Sequence, residues 1–156
     1  FKEVNLYEEV DFELTKRMKE FLGDTLHLRF NSILMLRTPA NCNSRWHCEG
    51  PVFHTRQCAL NFCIQGDIEK SYVQWCDRGE EDIRTNDTRG AWWEDDKLNV
   101  LAEHRMVENR ATIYNTMHWH RVFNFTDVNR VVVSAAINTP IEEVYEKYMA
   151  GELINE

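Results

Sequence analysis

The stretch HRVFNFTDVNRVVVSAAI, residues 120–137, decides the fold because it contains two strand-like segments joined by a short polar turn. The second segment begins at Arg130 and continues with three valines. β-Branched side chains pack well on a pleated surface, so this run predicts a strand. We therefore expect strands over residues 118–125 and 130–137.

Five further strand-like runs precede this stretch. Residues 58–65, CALNFCIQ, form a short apolar run ended by Gly66, which predicts a buried strand. Residues 71–76, SYVQWC, alternate in polarity and are expected to form its neighbour. The other runs cover residues 29–37, 100–106 and 110–115.

Two helices are expected to flank the strands. In residues 11–22, DFELTKRMKEFL, apolar side chains recur on one helical face, and Gly23 is expected to end the helix. A second helix is expected from Pro140, with Thr139 as N-cap and Glu142 completing a capping box. This pattern predicts a mainly β fold with flanking N- and C-terminal helices, closed into a sandwich, a jelly roll or a barrel.

Two stretches interrupt the strand pattern. Residues 39–51 contain Asn, Ser, Gly and Pro and are interpreted as a loop. Residues 77–96 are dense in charge and include two adjacent tryptophans. We interpret them as a surface excursion that can cover a substrate.

Length and composition fit a single domain over residues 1–156. The chain is 43% hydrophobic and 12% aromatic, enough for one continuous core. The formal net charge is −8 and the basic residues are scattered, so nucleic acid is not an expected partner. No apolar run approaches the ~18–20 residues of a membrane span, so no membrane partner is expected.

The cysteines and the first residues predict a cytoplasmic protein with reduced thiols. The five cysteines are odd in number and form no C-x-x-C pair. Thiols of this kind are typical of a reducing compartment. The first ten residues, FKEVNLYEEV, lack the apolar core of a signal peptide.

Three residues have the chemistry of a mononuclear metal site. His47 and Glu49 are two residues apart, so in extended backbone their side chains point to the same side. His120 follows 73 residues later, at the start of a predicted strand. Two histidines and one carboxylate form a facial triad that leaves coordination positions open, which suits non-haem Fe(II). A single strand histidine is more often a core residue, so the prediction depends on the three occurring together.

Arg130 is the candidate anion-binding residue of this site. A guanidinium can form a bidentate pair with a carboxylate, such as the far end of a keto-diacid. An ordinary salt bridge from Arg130 to Asp127 or Glu103 is the alternative. Asn61 and Asn124 are further candidates for cosubstrate binding, although asparagine near a strand end is often a turn or bulge residue.

These residues resemble a known family. HRVFNFTDVNRVVVSAAI is similar to the distal His…Arg segment of the Fe(II)/2-oxoglutarate-dependent oxygenases. CALNFCI and the region of Trp75 resemble core strands of their aspartyl/asparaginyl β-hydroxylase-like branch. The resemblance implies a double-stranded β-helix (jelly-roll, cupin-like) core, Fe(II) at the triad and 2-oxoglutarate anchored by Arg130. It also implies oxidation of a small molecule or a peptidyl side chain, with release of CO₂ and succinate.

Two features depart from the family pattern. The proximal motif usually ends in Asp, whereas here it ends in Glu49. His54, in His54-Thr55-Arg56, lies closer to the CALNFCI strand and is a rival proximal ligand. With His54 as ligand, no carboxylate would fill the third position, and Arg56 would intrude.

Two other functions remain open at this point. A cupin-like metal-binding protein would keep the three ligands and perform chemistry that needs no 2-oxoglutarate. A non-catalytic binding module would keep the fold with a degenerate site.

Overall fold

The computed structural model describes residues 2–5, 13–49, 56–67, 69–77, 84–86, 90–93, 99–107 and 110–153. Within these residues, helix α1 (Glu13–Glu20) continues into one π-helical turn (Phe21–Thr25), and helix α2 is Ile141–Met149. The strands are β1 (Lys2–Asn5), β2 (Phe30–Thr38), β3 (Cys42–Asn43), β4 (Trp46–Cys48), β5 (Cys58–Gln65), β6 (Ser71–Asp77), β7 (Arg84–Asn86), β8 (Gly90–Trp93), β9 (Asn99–Arg105), β10 (Thr112–Asn115), β11 (His120–Asn124) and β12 (Arg130–Ile137).

The strands form two antiparallel sheets that the chain visits in turn. One sheet has the order β1-β2-β12-β5-β10, and the other has the order β7-β8-β4-β11-β6-β9, with β3 attached to β11. The first half of the chain ends with β6. The chain then folds back, so that β9 pairs with β6. On the way back, β10 pairs with β5, β11 with β4, and β12 with β2. A chain folded back on itself and wound through two sheets is a double-stranded β-helix, so the predicted jelly roll is confirmed.

The two faces of the first sheet differ in chemistry. Its outer face carries the apolar residues Val133, Ala135 and Ile137 of β12, beside Leu60 and Cys58 of β5. These pack against Leu22, Leu26, Leu28 and Val144, which belong to the helices or closely follow them. Side chains alternate along a strand, so Arg130 and Ser134 face the second sheet instead. The main apolar core therefore lies under the helices, and polar side chains occupy part of the space between the sheets.

The end of the first helix and the start of the second both differ from the sequence predictions. Gly23 lies inside the π-helical turn and does not end the helix. The residue in the left-handed conformation is His27, with φ of 50°, and Leu28 N–H closes the turn by donating to Leu22 O at 2.8 Å. With eight and nine residues, the two α-helices described are too short to cross a membrane.

The predicted cap of the second helix was also wrong. Pro140 occupies the N-cap position of α2, and no side chain caps it. Thr139 is buried, and its hydroxyl accepts a hydrogen bond from Arg29 N–H at 3.3 Å. This threonine therefore ties α2 to the strand β2 that follows Arg29.

The two stretches interpreted as irregular contain strands. Residues 39–51 include β3 and β4, which pair with β11 in spite of their turn-like composition. Residues 77–96 include β7 and β8, and β8 pairs with β4. Tertiary pairing overrides local propensity at both places. Covering of a substrate by residues 77–96 stays a prediction.

Gly66 is the glycine whose replacement tests this packing. Its φ is +135°, and an added Cβ would lie 3.2 Å from Arg130 Cα. We expect Gly66→Ala to lower the free energy of unfolding by about 1–3 kcal/mol in urea unfolding, because both the backbone and the neighbouring strand must shift. Gly23→Ala is the control, since among the described residues its Cβ would meet only Phe30 Cε1, at 3.9 Å. Equal stability of the two variants would contradict this account.

Candidate metal centre

Backbone pairing places the two proposed histidine ligands side by side. In the antiparallel pair of β4 and β11, His47 is the direct partner of His120. Their ring centroids are 4.3 Å apart. Glu49 directly follows β4, and its backbone N–H donates to Thr116 O at 3.0 Å. The potential ligand atoms of His47, Glu49 and His120 all lie within 4.8 Å of one another.

Both imidazoles are held in the same tautomer. Nδ1 of His47 lies 2.8 Å from Arg45 O, and Nδ1 of His120 lies 2.8 Å from His118 O. A carbonyl oxygen can only accept, so each Nδ1 carries the proton and each Nε2 keeps its lone pair. Metal-binding histidines are commonly fixed by a hydrogen bond of this kind from the other ring nitrogen.

Burial keeps the two imidazoles neutral. Desolvation lowers the pKa of His120 well below its ordinary value, and the neighbouring His47 lowers it further. Desolvation also lowers the pKa of His47, although its bond to Arg45 and the charge of Glu49 oppose this. Neutral imidazole is the form that binds a metal. Two such nitrogens with one carboxylate oxygen fit Fe(II), and they would also accept other divalent transition metals.

The carboxylate of the triad has a charged neighbour, Arg56. Nε of Arg56 lies 2.8 Å from Oε2 of Glu49, and both side chains are largely buried. The geometry gives neither atom a hydrogen bond, so the contact is an ion pair without a directed N–H. Nη2 of Arg56 donates to Ser134 Oγ at 3.1 Å. Arg56 thus links the triad to the inner face of β12.

Asn61 and Tyr114 form a polar pair on the same inner face. Asn61 is directly opposite Ser134, and its Nδ2 donates to the Tyr114 hydroxyl at 2.7 Å. The Tyr114 ring meets His120 edge-on, with centroids 5.8 Å apart. Burial raises the pKa of Tyr114, and the charges of Arg56, Glu49 and Arg130 also act on it. Asn61, which the sequence suggested as a cosubstrate-binding residue, is therefore connected to the triad by Tyr114, which contacts both Asn61 and His120.

Arg130 is a buried cation at the start of β12, opposite Thr38 of β2. Nη2 donates to Met106 Sδ at 2.9 Å, and desolvation lowers the pKa of Arg130. No carboxylate within the described ranges pairs with it. Glu103, one of the two alternatives, instead pairs with Arg105 at 3.3 Å. The thioether of Met106 is neutral and does not compensate the charge of Arg130. An anion-binding role requires such an uncompensated charge.

The structure does not bring Asn124 to the triad. Asn124 lies four residues beyond His120 on β11, about 13 Å along the strand. Its Nδ2 donates to Pro39 O and Val128 O, each at 2.8 Å, and its Oδ1 accepts from Thr126 Oγ1 at 2.7 Å. The side chain is fully buried, and because its Oδ1 also accepts from Ser71 Oγ at 3.2 Å it joins three chain segments, which is a structural role.

Sequence reasoning missed part of this site. Tyr114 and Ser134 were not selected, and Arg56 was considered only as a neighbour of His54. These residues meet through strand register, and no local motif signals that register. The rival ligand His54 lies outside the described residues, and the side chain of His118 is exposed.

Several solved structures are similar to this chain at low identity. A cupin domain from Bordetella pertussis Tohama I has 12% identity and a TM-score of 0.43, covering 86% of this chain and 92% of that chain. Hydroquinone 1,2-dioxygenase PnpCD in complex with Cd²⁺ and 4-hydroxybenzonitrile has 10% identity and a TM-score of 0.43. Oxalate oxidase in complex with glycolate has 14% identity and a TM-score of 0.39.

These similarities are partial. Both enzymes match 70% of this chain, which spans 58% of the dioxygenase chain and 43% of the oxalate oxidase chain. No family model matches the sequence, and neither does any curated protein. Because identity and TM-score are this low, the jelly-roll assignment depends on the strand order and register given above. The activities of these enzymes are not assigned to this chain.

Replacing a single histidine tests the metal centre. We expect wild-type protein to bind one Ni²⁺ per chain in isothermal titration calorimetry. His47→Ala and His120→Ala should each weaken binding by at least about 100-fold, because losing a ligand should cost more than losing an outer-shell partner. His118→Ala is the control, since it removes an exposed ring and keeps the carbonyl that orients His120. Unchanged affinity in both ligand variants would rule out this site.

Proposed function

We propose that this chain is an Fe(II)- and 2-oxoglutarate-dependent oxygenase that acts on a small molecule or a peptidyl side chain. The observation that carries the proposal is the convergence of His47, Glu49 and His120 in one jelly roll, with ligand atoms within 4.8 Å. The buried Arg130, which has no carboxylate partner in the described part of the chain, supports it. The sequence resemblance supports the same class.

In this proposal His47, Glu49 and His120 hold Fe(II). The two Nδ1–H bonds to Arg45 O and His118 O fix the rings and leave Nε2 of each as the atom that would bind the metal. When bound, iron and 2-oxoglutarate would supply the O₂-dependent oxidation of the substrate, with release of CO₂ and succinate.

Arg130 would bind the distal carboxylate of 2-oxoglutarate. Arg130 as a whole residue is 3% exposed, and a charge held in a site of low dielectric attracts an anion more strongly than a solvated one does. The Thr38 hydroxyl, opposite it on β2, is buried and has no hydrogen-bond partner within the described residues. It is available as a further donor to the same carboxylate.

The walls of the site would exclude water from the reaction. Trp75 packs edge-on against Tyr114 with centroids 5.7 Å apart, and its indole N–H donates to Asn115 O at 3.3 Å. The ring of Tyr114 in turn covers His120. These aromatic contacts fix the ligand side chain and reduce its access to solvent.

The proposal predicts a visible charge-transfer band when Fe(II) and 2-oxoglutarate are added together to the protein without oxygen. Glu49→Ala should abolish the band by removing a metal ligand. Arg130→Met should retain Ni²⁺ binding and weaken 2-oxoglutarate binding at least about 30-fold, because a buried charge pair cannot form. Titration of the band and calorimetry measure the two affinities.

Folding of the arginine variant is not expected to limit this test. Replacing a buried, uncompensated charge with an apolar side chain of similar size is often neutral or stabilising, so the unfolding temperature of metal-free Arg130→Met should not fall. Arg37→Met, at an exposed position of β2, is the matched control. A band that survives in both Glu49→Ala and Arg130→Met would sink the proposal.

The same measurements, together with an assay of succinate release, distinguish the alternatives. A cupin-like protein with other chemistry would bind the metal without giving the band or releasing succinate. A non-catalytic module with a degenerate site would bind no stoichiometric metal.

A further inference from the structure

The ion pair between Glu49 and Arg56 has a consequence for the metal ligand itself. Nε of Arg56 lies 2.8 Å from Oε2 of the carboxylate. The two oxygens of this ligand are therefore not equivalent before any metal is present.

The arginine is held both at its side chain and at its backbone. Its Nη2 donates to Ser134 Oγ at 3.1 Å, which holds the head of the side chain against β12. Its carbonyl accepts from Thr116 Oγ1 at 2.9 Å. Thr116 is fully buried and also accepts the backbone N–H of Glu49 at 3.0 Å. One threonine thus fixes the backbones of both partners relative to each other.

A glutamate ligand needs such a partner more than an aspartate does. Its side chain has one additional rotatable bond, so fixing its carboxylate costs more conformational entropy. A free carboxylate can also bind a metal through both oxygens, which would occupy a position needed for other ligands. Carboxylate ligands are commonly held by an outer-shell hydrogen bond or charge.

We propose that Arg56 is a positioning residue that holds Oε2 of Glu49, so that the carboxylate binds a divalent metal through Oε1 alone. The inference rests on the metal site of the proposed function. It accounts for glutamate at a position where the resembling family usually has aspartate. It also assigns a role to a buried arginine that the anchoring of 2-oxoglutarate by Arg130 does not require.

For the replacement of Arg56, the proposal predicts a change in metal affinity that is opposite in sign to the change expected from simple electrostatics. A guanidinium near a divalent cation repels it, so removing the charge alone would strengthen metal binding. Loss of positioning would weaken it, by about 10–100-fold as for other outer-shell partners. The sign of the change in affinity therefore separates a positioning residue from a competitor for Glu49.

The experiment measures Ni²⁺ affinity by calorimetry in the chain of residues 1–156. We expect Arg56→Met to weaken binding about 10–100-fold, and Arg56→Lys, which keeps the charge, to recover part of the loss. In a Glu49→Asp background, Arg56→Met should change affinity by less than about 3-fold, because the shorter side chain does not reach Arg56. Arg29→Met is the matched control, since Arg29 pairs with Glu143 at 3.7 Å, on α2.

Two results would overturn the proposal. Arg56→Met could bind Ni²⁺ as tightly as wild type or more tightly, or it could weaken binding equally with Glu49 and with Asp at this position. Either result leaves the proposed function intact, whereas absence of Ni²⁺ binding by wild type contradicts the metal site itself. Unfolding temperatures of the metal-free variants verify folding, and Arg56→Gln replaces Arg56→Met with the same expectation if that variant does not fold.

Discussion

The site depends on the antiparallel pairing of β4 with β11, which sets His47 directly opposite His120. A shift of one residue in this register would turn one imidazole to the other face of the sheet, because side chains alternate along a strand. The pairing is supported from both sides, since β8 pairs with β4 and β6 pairs with β11. The position of the ligands is thus a property of the whole second sheet.

The distribution of apolar residues makes this arrangement possible. The first sheet packs its apolar outer face against the helices, through residues such as Leu60, Ile137 and Val144. This packing adds apolar burial outside the β-helix to that of buried strand residues such as Val73 and Val132. The inner face can then carry Asn61, Ser134 and Arg130, whose burial would otherwise be costly. Their contacts with Tyr114, Arg56 and Met106 connect that face to the triad and its surroundings.

The sequence predicted the parts of this molecule that are encoded locally. Strand periodicity and the valines after Arg130 predicted the mainly β fold, and residue spacing brought His47, Glu49 and His120 together as candidates. The sequence did not predict β4, because its composition is typical of a loop and its hydrogen bonds come from distant strands. Asn124 was chosen as a cosubstrate ligand from its place in a motif, but its amide holds a turn. Arg56 and Tyr114 were missed because only tertiary register brings them to the site.

The most direct test of the metal centre is a crystal structure of the protein prepared with Fe(II) without oxygen, with diffraction data collected at the iron absorption edge. The account predicts one anomalous peak per chain, within bonding distance of Nε2 of His47, Nε2 of His120 and a carboxylate oxygen of Glu49. Iron bound through His54 in place of His47 and Glu49, or no peak between β4 and β11, would contradict it.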